Sequence, residues 1–165
     1  MATAFDVARY ILEQRGAMPA MKVQKLVYYA QAWALVWDGG PLFAEPIEAW
    51  ANGPVCRELY EAHKGRVTLS PMDFAECPRE RLSEGQRVAI DAVLAVYGDK
   101  SAQWLSEQTL GETPWQHARA RLMRREGLSG EISVKAMADY YASTLKQIEA
   151  AEPTRETDFV GLYAY

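Results

Sequence analysis

Apolar residues recur at helical spacing along most of the chain. Apolar side chains at i, i+3 and i+7 follow the N-cap residue Thr3 and predict a helix over Ala4–Arg15. The stretch from about residue 20 to residue 38 is apolar nearly all round, so we expect it to be the central helix. Further periodic stretches predict helices over 55–63, 84–97, 102–110, 114–122 and 134–148. The pattern therefore predicts a mainly α protein, a single compact helical domain of about seven helices.

Two short β-prone stretches interrupt this helical pattern. Residues 47–51 alternate between apolar and polar side chains, and residues 67–69 are β-prone, so we expect the two to pair as a two-stranded ribbon. The turn residues 52–54 follow the first stretch, and Pro54 suits the first position of a helix. By helical spacing, three tryptophans are expected to face the core: Trp37, Trp104 and Trp115.

The last fourteen residues differ in composition from the rest of the chain. We expect a domain over residues 1–151 and an acidic, aromatic tail over 152–165, which has three acidic residues and one basic residue. Leaving its apolar side chains in water forfeits roughly 1.5–3 kcal/mol for each one that could be buried. The tail is therefore expected to pack on its own domain or on a partner.

Composition and charge narrow the possible functions. The 165 residues carry 18 basic and 22 acidic side chains, a net charge of -4, which argues against sequence-independent nucleic-acid binding. The most apolar stretch contains Lys25 and is too short to span a bilayer, and the N-terminus is unlike a signal peptide. We expect a cytoplasmic protein that contacts no membrane.

Catalytic and metal-binding motifs are missing from the sequence. The two histidines, His63 and His117, have no zinc-ligand spacing, and no phosphate-binding loop or nucleophile elbow occurs. We expect a protein that is not an enzyme and that needs no cofactor. The alternative is a small enzyme centred on Cys56 and His63, which helical spacing places on one side of a helix.

Several side chains are candidates for binding a partner. One row of polar residues follows the central helix, a second group lies at the turn after residue 50, and Arg119–Arg125 is the strongest basic feature. A solvated helix face is the simpler interpretation of such arginines, and docking of an acidic partner is the functional one. The candidate binding residues are Lys22, Lys25, Tyr29, Trp50, Asn52, Arg121, Arg124, Arg125, Phe159 and Tyr163.

Three local patterns occur in a recognisable order. They are Met-Lys-Val-Gln-Lys-Leu-Val-Tyr-Tyr-Ala-Gln over 21–31, Glu-Ala-Trp-Ala-Asn-Gly-Pro-Val over 48–55, and Leu105-Ser106 through Thr109 to Pro114-Trp115. Over about residues 4–125 the chain resembles the Panacea domain, also called the SocA-like or phage-associated GepA-like antitoxin domain. It departs where Leu110 follows Thr109 in place of the histidine common in the family, so no role of that histidine carries over. The resemblance implies structural roles for Gln24, Tyr28, Gly53, Pro54, Val55, Ser106, Thr109, Pro114 and Trp115.

The resemblance also implies a function. Antitoxins of this kind belong to two-gene toxin–antitoxin systems and neutralise toxins by direct protein contact. The SocA type is associated with handing its toxin to an AAA+ protease of the ClpXP kind, so the expected partners are a cognate protein toxin and such a protease. The alternative is a DNA-binding autorepressor that uses Arg119–Arg125 as its recognition face.

Overall fold

The architecture is mainly α-helical, as the hydrophobic pattern predicts, and one central helix organises it. The computed structural model of the protein describes residues 1–78, 81–125 and 130–151. Within these ranges the helices are α1 (Ala4–Arg15), α2 (Ala20–Trp37), α3 (Arg57–His63), α4 (Glu84–Tyr97), α5 (Ala102–Leu110), α6 (Thr113–Met123) and α7 (Val134–Ala151). Helix α2 packs against α1, α4, α5 and α7, because it is apolar and buried on nearly every side. The fold class predicted from the sequence is confirmed.

Local sequence signals fix the starts of α1 and α4. The Thr3 hydroxyl accepts a hydrogen bond from the Asp6 backbone N–H, and the Asp6 carboxylate accepts one from the Thr3 N–H in return. Ser83 and Gln86 form the same reciprocal capping box at α4. Both helix starts were predicted, because capping requires only residues that lie close together in the sequence.

The end of α4 depends instead on two basic side chains from distant parts of the chain. Arg15, the last residue of α1, donates to the Leu94 carbonyl at 2.8 Å, and Lys22 of α2 donates to the Gly98 carbonyl at 2.8 Å. Cations at a helix C-terminus satisfy exposed carbonyls and interact favourably with the helix dipole. Lys22 therefore has a structural role at the α4 terminus.

Two small antiparallel sheets replace the single predicted ribbon. Strand β1 (Met18–Pro19) pairs with β4 (Thr68–Leu69), and β2 (Ile47–Trp50) pairs both with β3 (Gly53–Cys56) and with β5 (Glu131–Ile132). The predicted pairing of residues 47–51 with 67–69 is wrong. A two-residue loop lets β2 pair with the segment that follows it directly, which costs far less loop entropy than a distant pairing.

Pro54 lies inside β3 and does not open a helix, so that prediction is also wrong. Its cross-strand partner is Ala49, whose N–H points to the opposite edge of β2 and donates to the Gly130 carbonyl at 2.8 Å. The Ala49–Pro54 pair therefore requires no N–H from proline, and β3 tolerates the residue. Helix α3 begins only at Arg57.

Two of the three tryptophans expected in the core are partly exposed. Trp37 is 40% exposed and Trp104 is 39% exposed, whereas Trp115 is half-buried and packs against the core. Helical spacing identifies which side chains share a face, but it does not determine whether another element covers that face. A short 3-10 helix, Pro71–Phe74, lies between β4 and α4.

Candidate functional site

The turn between β2 and β3 is clamped against helices α2 and α5. The buried Lys25 ammonium donates to the Pro54 carbonyl at 3.1 Å. Ser106 of α5 donates its hydroxyl hydrogen bond to the Asn52 carbonyl, and Thr109 donates to the Ser106 carbonyl at 2.7 Å. The Lys25 and Ser106 contacts satisfy backbone acceptors of the turn with side chains of two different helices, so they fix the position of the hairpin tip.

Gly53 lies at the tightest point of this clamp. Its φ of 124° lies in the region that favours glycine. A Cβ atom on this residue would lie 2.7 Å from Lys25 Cε and 2.8 Å from Thr109 Oγ1. Backbone conformation and lack of space therefore both require glycine here.

Helix α6 holds the other side of the hairpin. The Trp115 indole N–H donates to the Trp50 carbonyl at 2.8 Å, and Arg119 donates to the Ala49 carbonyl at 3.1 Å. Pro114, at the start of α6, is buried. Trp115 and Arg119 are four residues apart, so one flank of α6 lines the hairpin.

Gln24 joins α2 to the end of β3. Its side-chain oxygen accepts from the Cys56 N–H at 2.9 Å, and its amide nitrogen lies 3.3 Å from the Cys56 carbonyl. The same nitrogen lies 3.0 Å from His63 Nε2. Gln24 thereby satisfies polar groups of the strand end and of α3 inside the core. Among the other residues assigned structural roles by the resemblance, Tyr28 and Val55 are buried.

The predicted row Lys22, Lys25 and Tyr29 does not form an exposed surface. Lys25 is only 1% exposed, and burial lowers the pKa of its ammonium to about 8. Tyr29 is fully buried, and Lys22 caps α4 as described above. Lys25 and Tyr29 lie in the interior because β3, α4 and α7 cover this side of α2, whereas Lys22 is partly exposed at the end of α4.

A buried polar cluster, which sequence spacing does not predict, lies at the junction of α2, α6 and α7. The Glu112 carboxylate accepts from the Tyr29 and Tyr141 hydroxyls, each at 2.8 Å, and the Tyr28 hydroxyl lies 3.1 Å from that of Tyr141. Burial raises the pKa of Glu112, and the hydrogen bonds oppose this shift. Its members come from three separate segments, so no local spacing reveals the cluster.

An exposed surface beside the clamped hairpin combines the Trp50 ring of β2 with Arg57, the first residue of α3. Trp50 is half-buried, and the centroid of its ring lies 4.8 Å from that of Tyr60. The Arg57 guanidinium carbon lies 6.0 Å from the centroid of the Trp50 ring. Glu48 accepts from the Trp50 indole at 2.9 Å and from Arg57 at 3.0 Å. Asn52 is exposed at the turn. Trp50, Asn52 and Arg57 are called the hairpin-tip surface below.

The predicted arginines lie elsewhere on α6. Arg121 and Arg124 are exposed, but Arg121 is offset by about 200° around the helix from Arg119, which contacts the hairpin. Arg125, just after α6, is also exposed and has a φ of 58°. The structure therefore separates the hairpin tip from the arginine group. The remaining two candidates, Phe159 and Tyr163, lie outside the described residues.

The Cys56 thiol can be tested directly for the reactivity that an enzyme of this kind would need. Burial raises its pKa to about 11, so the reactive thiolate is scarce at neutral pH. In a Cys77→Ser background, which removes the other thiol, we expect native protein to react with a thiol reagent at pH 7.5 far more slowly than the same protein in denaturant. Equally fast labelling in both conditions would favour the enzyme alternative.

Within the described ranges, no group of three or more His, Cys, Asp or Glu residues is arranged to hold a metal ion. No helix in the same part of the chain is both long enough and apolar enough to span a bilayer.

These contacts define a mainly helical domain in which a clamped β-hairpin presents Trp50 beside Arg57 of α3. The family described as "Antitoxin SocA-like, Panacea domain" matches residues 23–116, and the chain belongs to this family. The matched range begins inside α2, contains the hairpin, α3, α4 and α5 complete, and ends just after Trp115. Membership supports a general antitoxin role. Comparison with curated proteins and with solved structures gave no match.

Proposed function

We propose that this protein neutralises a cognate protein toxin by binding it directly, with the hairpin-tip surface as the main contact. The observation that carries the proposal is the half-exposed Trp50 ring, held beside Arg57 on a hairpin that three helices fix. Tryptophan and arginine are the residue types most enriched at energetic hot spots of protein interfaces.

Rigidity is the second argument for this surface. Glu48 orients both the Trp50 indole and the Arg57 guanidinium, and the α6 contact to the Trp50 carbonyl fixes the backbone beneath them. A side chain already held in one geometry loses little entropy on binding, so more of its contact energy contributes to affinity.

We further propose that the protein delivers the bound toxin to an AAA+ protease of the ClpXP kind. This delivery is supported by the resemblance to the SocA type. In this mechanism the protein is an adaptor in the cytoplasm, and it performs no chemistry of its own. Toxin turnover that depends on both this protein and the protease, measured after synthesis is blocked, would support delivery. Neutralisation without turnover would limit the function to binding.

Co-expression with the neighbouring reading frame tests direct binding. Asn52→Arg adds bulk at an exposed turn position, and Arg57→Ala removes the guanidinium, so we expect each change to weaken toxin binding at least about tenfold. The control is Arg87→Glu, which changes an exposed residue on α4 and should leave binding unchanged. All three variants should melt within a few degrees of the wild type.

Two results would contradict this proposal at different levels. A neighbouring product that is harmless alone and does not bind this protein would remove the antitoxin function. Full neutralisation by both hairpin variants would keep the antitoxin function but exclude the hairpin tip as the contact.

The autorepressor alternative is favoured by one observation. The described part of α6 and the residue after it carry exposed arginines and no acidic side chain, with Arg121 and Arg124 three residues apart. A mobility shift with the protein's own promoter tests this function. Salt-sensitive binding that Arg121→Glu abolishes would support it, and no shift at micromolar protein would exclude it.

A further inference from the structure

A band of aromatic side chains opens to the surface where α2, α4, α5 and α7 meet. Its members are Trp33, Trp37, Tyr97, Trp104 and Tyr140, called the aromatic seam here. The Trp33 and Trp37 rings stack at 5.1 Å, the Trp33 indole donates to the Tyr97 hydroxyl at 3.2 Å, and the Tyr97 and Trp104 rings lie 6.5 Å apart.

Helix α7 forms one wall of the seam. Trp33 lies 5.3 Å from the Tyr141 ring of α7, which in turn contacts Tyr140 at 4.9 Å between ring centroids. Ile148, further along the same helix, is also exposed. The seam thus continues toward the end of α7, and its partly exposed tryptophans resemble the anchor residues of an interface more than an ordinary solvated face.

The chain itself supplies a segment suited to this surface. Residues 152–165 lie outside the described residues and continue directly from Ala151, the last residue of α7. Their second half, 159–165, contains five large apolar side chains and no charged one, and their first half carries three carboxylates. At the seam, the Lys100 ammonium lies 4.9 Å from the Trp104 ring and offers a positive partner for an acidic segment.

The distances allow this segment to reach the seam. From Tyr140 to Ala151 the helix extends about 16 Å, at 1.5 Å per residue. An extended chain from Ala151 to Phe159 spans up to about 26 Å, at about 3.3 Å per residue. The apolar half of the segment can therefore return along α7 to the tyrosines and tryptophans.

We propose that residues 152–165 cover the aromatic seam of their own chain, with the apolar half on the tryptophans and the acidic half near Lys100. This contact involves neither the toxin nor the hairpin-tip surface. It also accounts for the five large apolar side chains in a segment without helical periodicity, because they replace water over rings that the helices leave open.

Full-length variants test the proposal. The tail variant combines Phe159→Ser, Leu162→Ser and Tyr163→Ser, and its control combines Pro153→Ser, Thr154→Ser and Thr157→Ser. The seam variant is Trp104→Ser, and its control is Met123→Ser at an exposed position on α6. We expect the tail variant to lower Tm by about 3 °C or more, with little change in either control.

Coupling between the two sites is the decisive measurement. If the tail covers the seam, adding the tail changes to Trp104→Ser should lower Tm little further, because the contact is already lost. Acrylamide should also quench tryptophan fluorescence more strongly in the tail variant than in the wild type, to the same extent at two protein concentrations tenfold apart. Additive Tm changes, unchanged quenching, or a dependence on concentration would overturn the proposal.

Discussion

Gly53→Ala should destabilise the protein by roughly 3 kcal/mol or more and lower its Tm by at least several degrees. The substitution forces a Cβ into a backbone conformation that costs about 1–3 kcal/mol for residues other than glycine. It also drives Lys25 and Thr109 away from the turn, because the new atom would lie within 3 Å of both side chains. Thermal and denaturant unfolding would measure the loss.

The matched control is Gly40→Ala, in the loop after α2. A Cβ there meets no atom within 4 Å and φ is not in the left-handed region, so the change should alter stability by no more than about 1 kcal/mol. If Gly53→Ala and Gly40→Ala had the same Tm, the clamp would not be the element that fixes the hairpin.

The second large effect concerns Lys25 and pH. Burial lowers the pKa of its ammonium from 10.5 to about 8, so the folded state binds fewer protons than the unfolded state between these values. The contribution of Lys25 to the free energy of unfolding therefore rises as the pH rises from about 8 to 10.5. It is lower by about 3 kcal/mol below pH 8, where the buried amine must carry its charge.

Lys25→Met isolates that contribution, since methionine fills similar space and does not titrate. Between pH 8 and 10.5, the wild type should gain up to about 3 kcal/mol of unfolding free energy relative to Lys25→Met. Buried Cys56 and the buried tyrosines titrate in both proteins, so they cancel in the difference. Parallel curves for Lys25→Met and the wild type would show that Lys25 is not a buried charge.

Sequence reasoning succeeded where the determining interaction is local. The bounds of α1, the N-cap at Thr3, the central position of α2 and the start of α4 all follow from residues within one or two helical turns. The resemblance implies structural roles for the motif residues around Gly53, and the clamp shows which atoms Gly53 and Pro54 lie against.

The sequence could not reveal arrangements that require distant segments to meet. Lys25 and Tyr29 share a helix face with Lys22, and the same spacing describes either a solvated row or a buried one. The packing of β3, α4 and α7 against α2 buries Lys25 and Tyr29. In the same way, nothing near Arg119 in the sequence indicates that it contacts the hairpin while Arg121 does not.

The pairing of β2 with β5 has a consequence for synthesis of the chain. Ile47 pairs with Ile132, and the residues between them include four of the helices. While a ribosome is still producing those helices, the outer edge of β2 has open N–H and C=O groups that can recruit another strand. The nascent hairpin is therefore a place where chaperones or a neighbouring nascent chain can bind, until residues 130–132 emerge and close that edge.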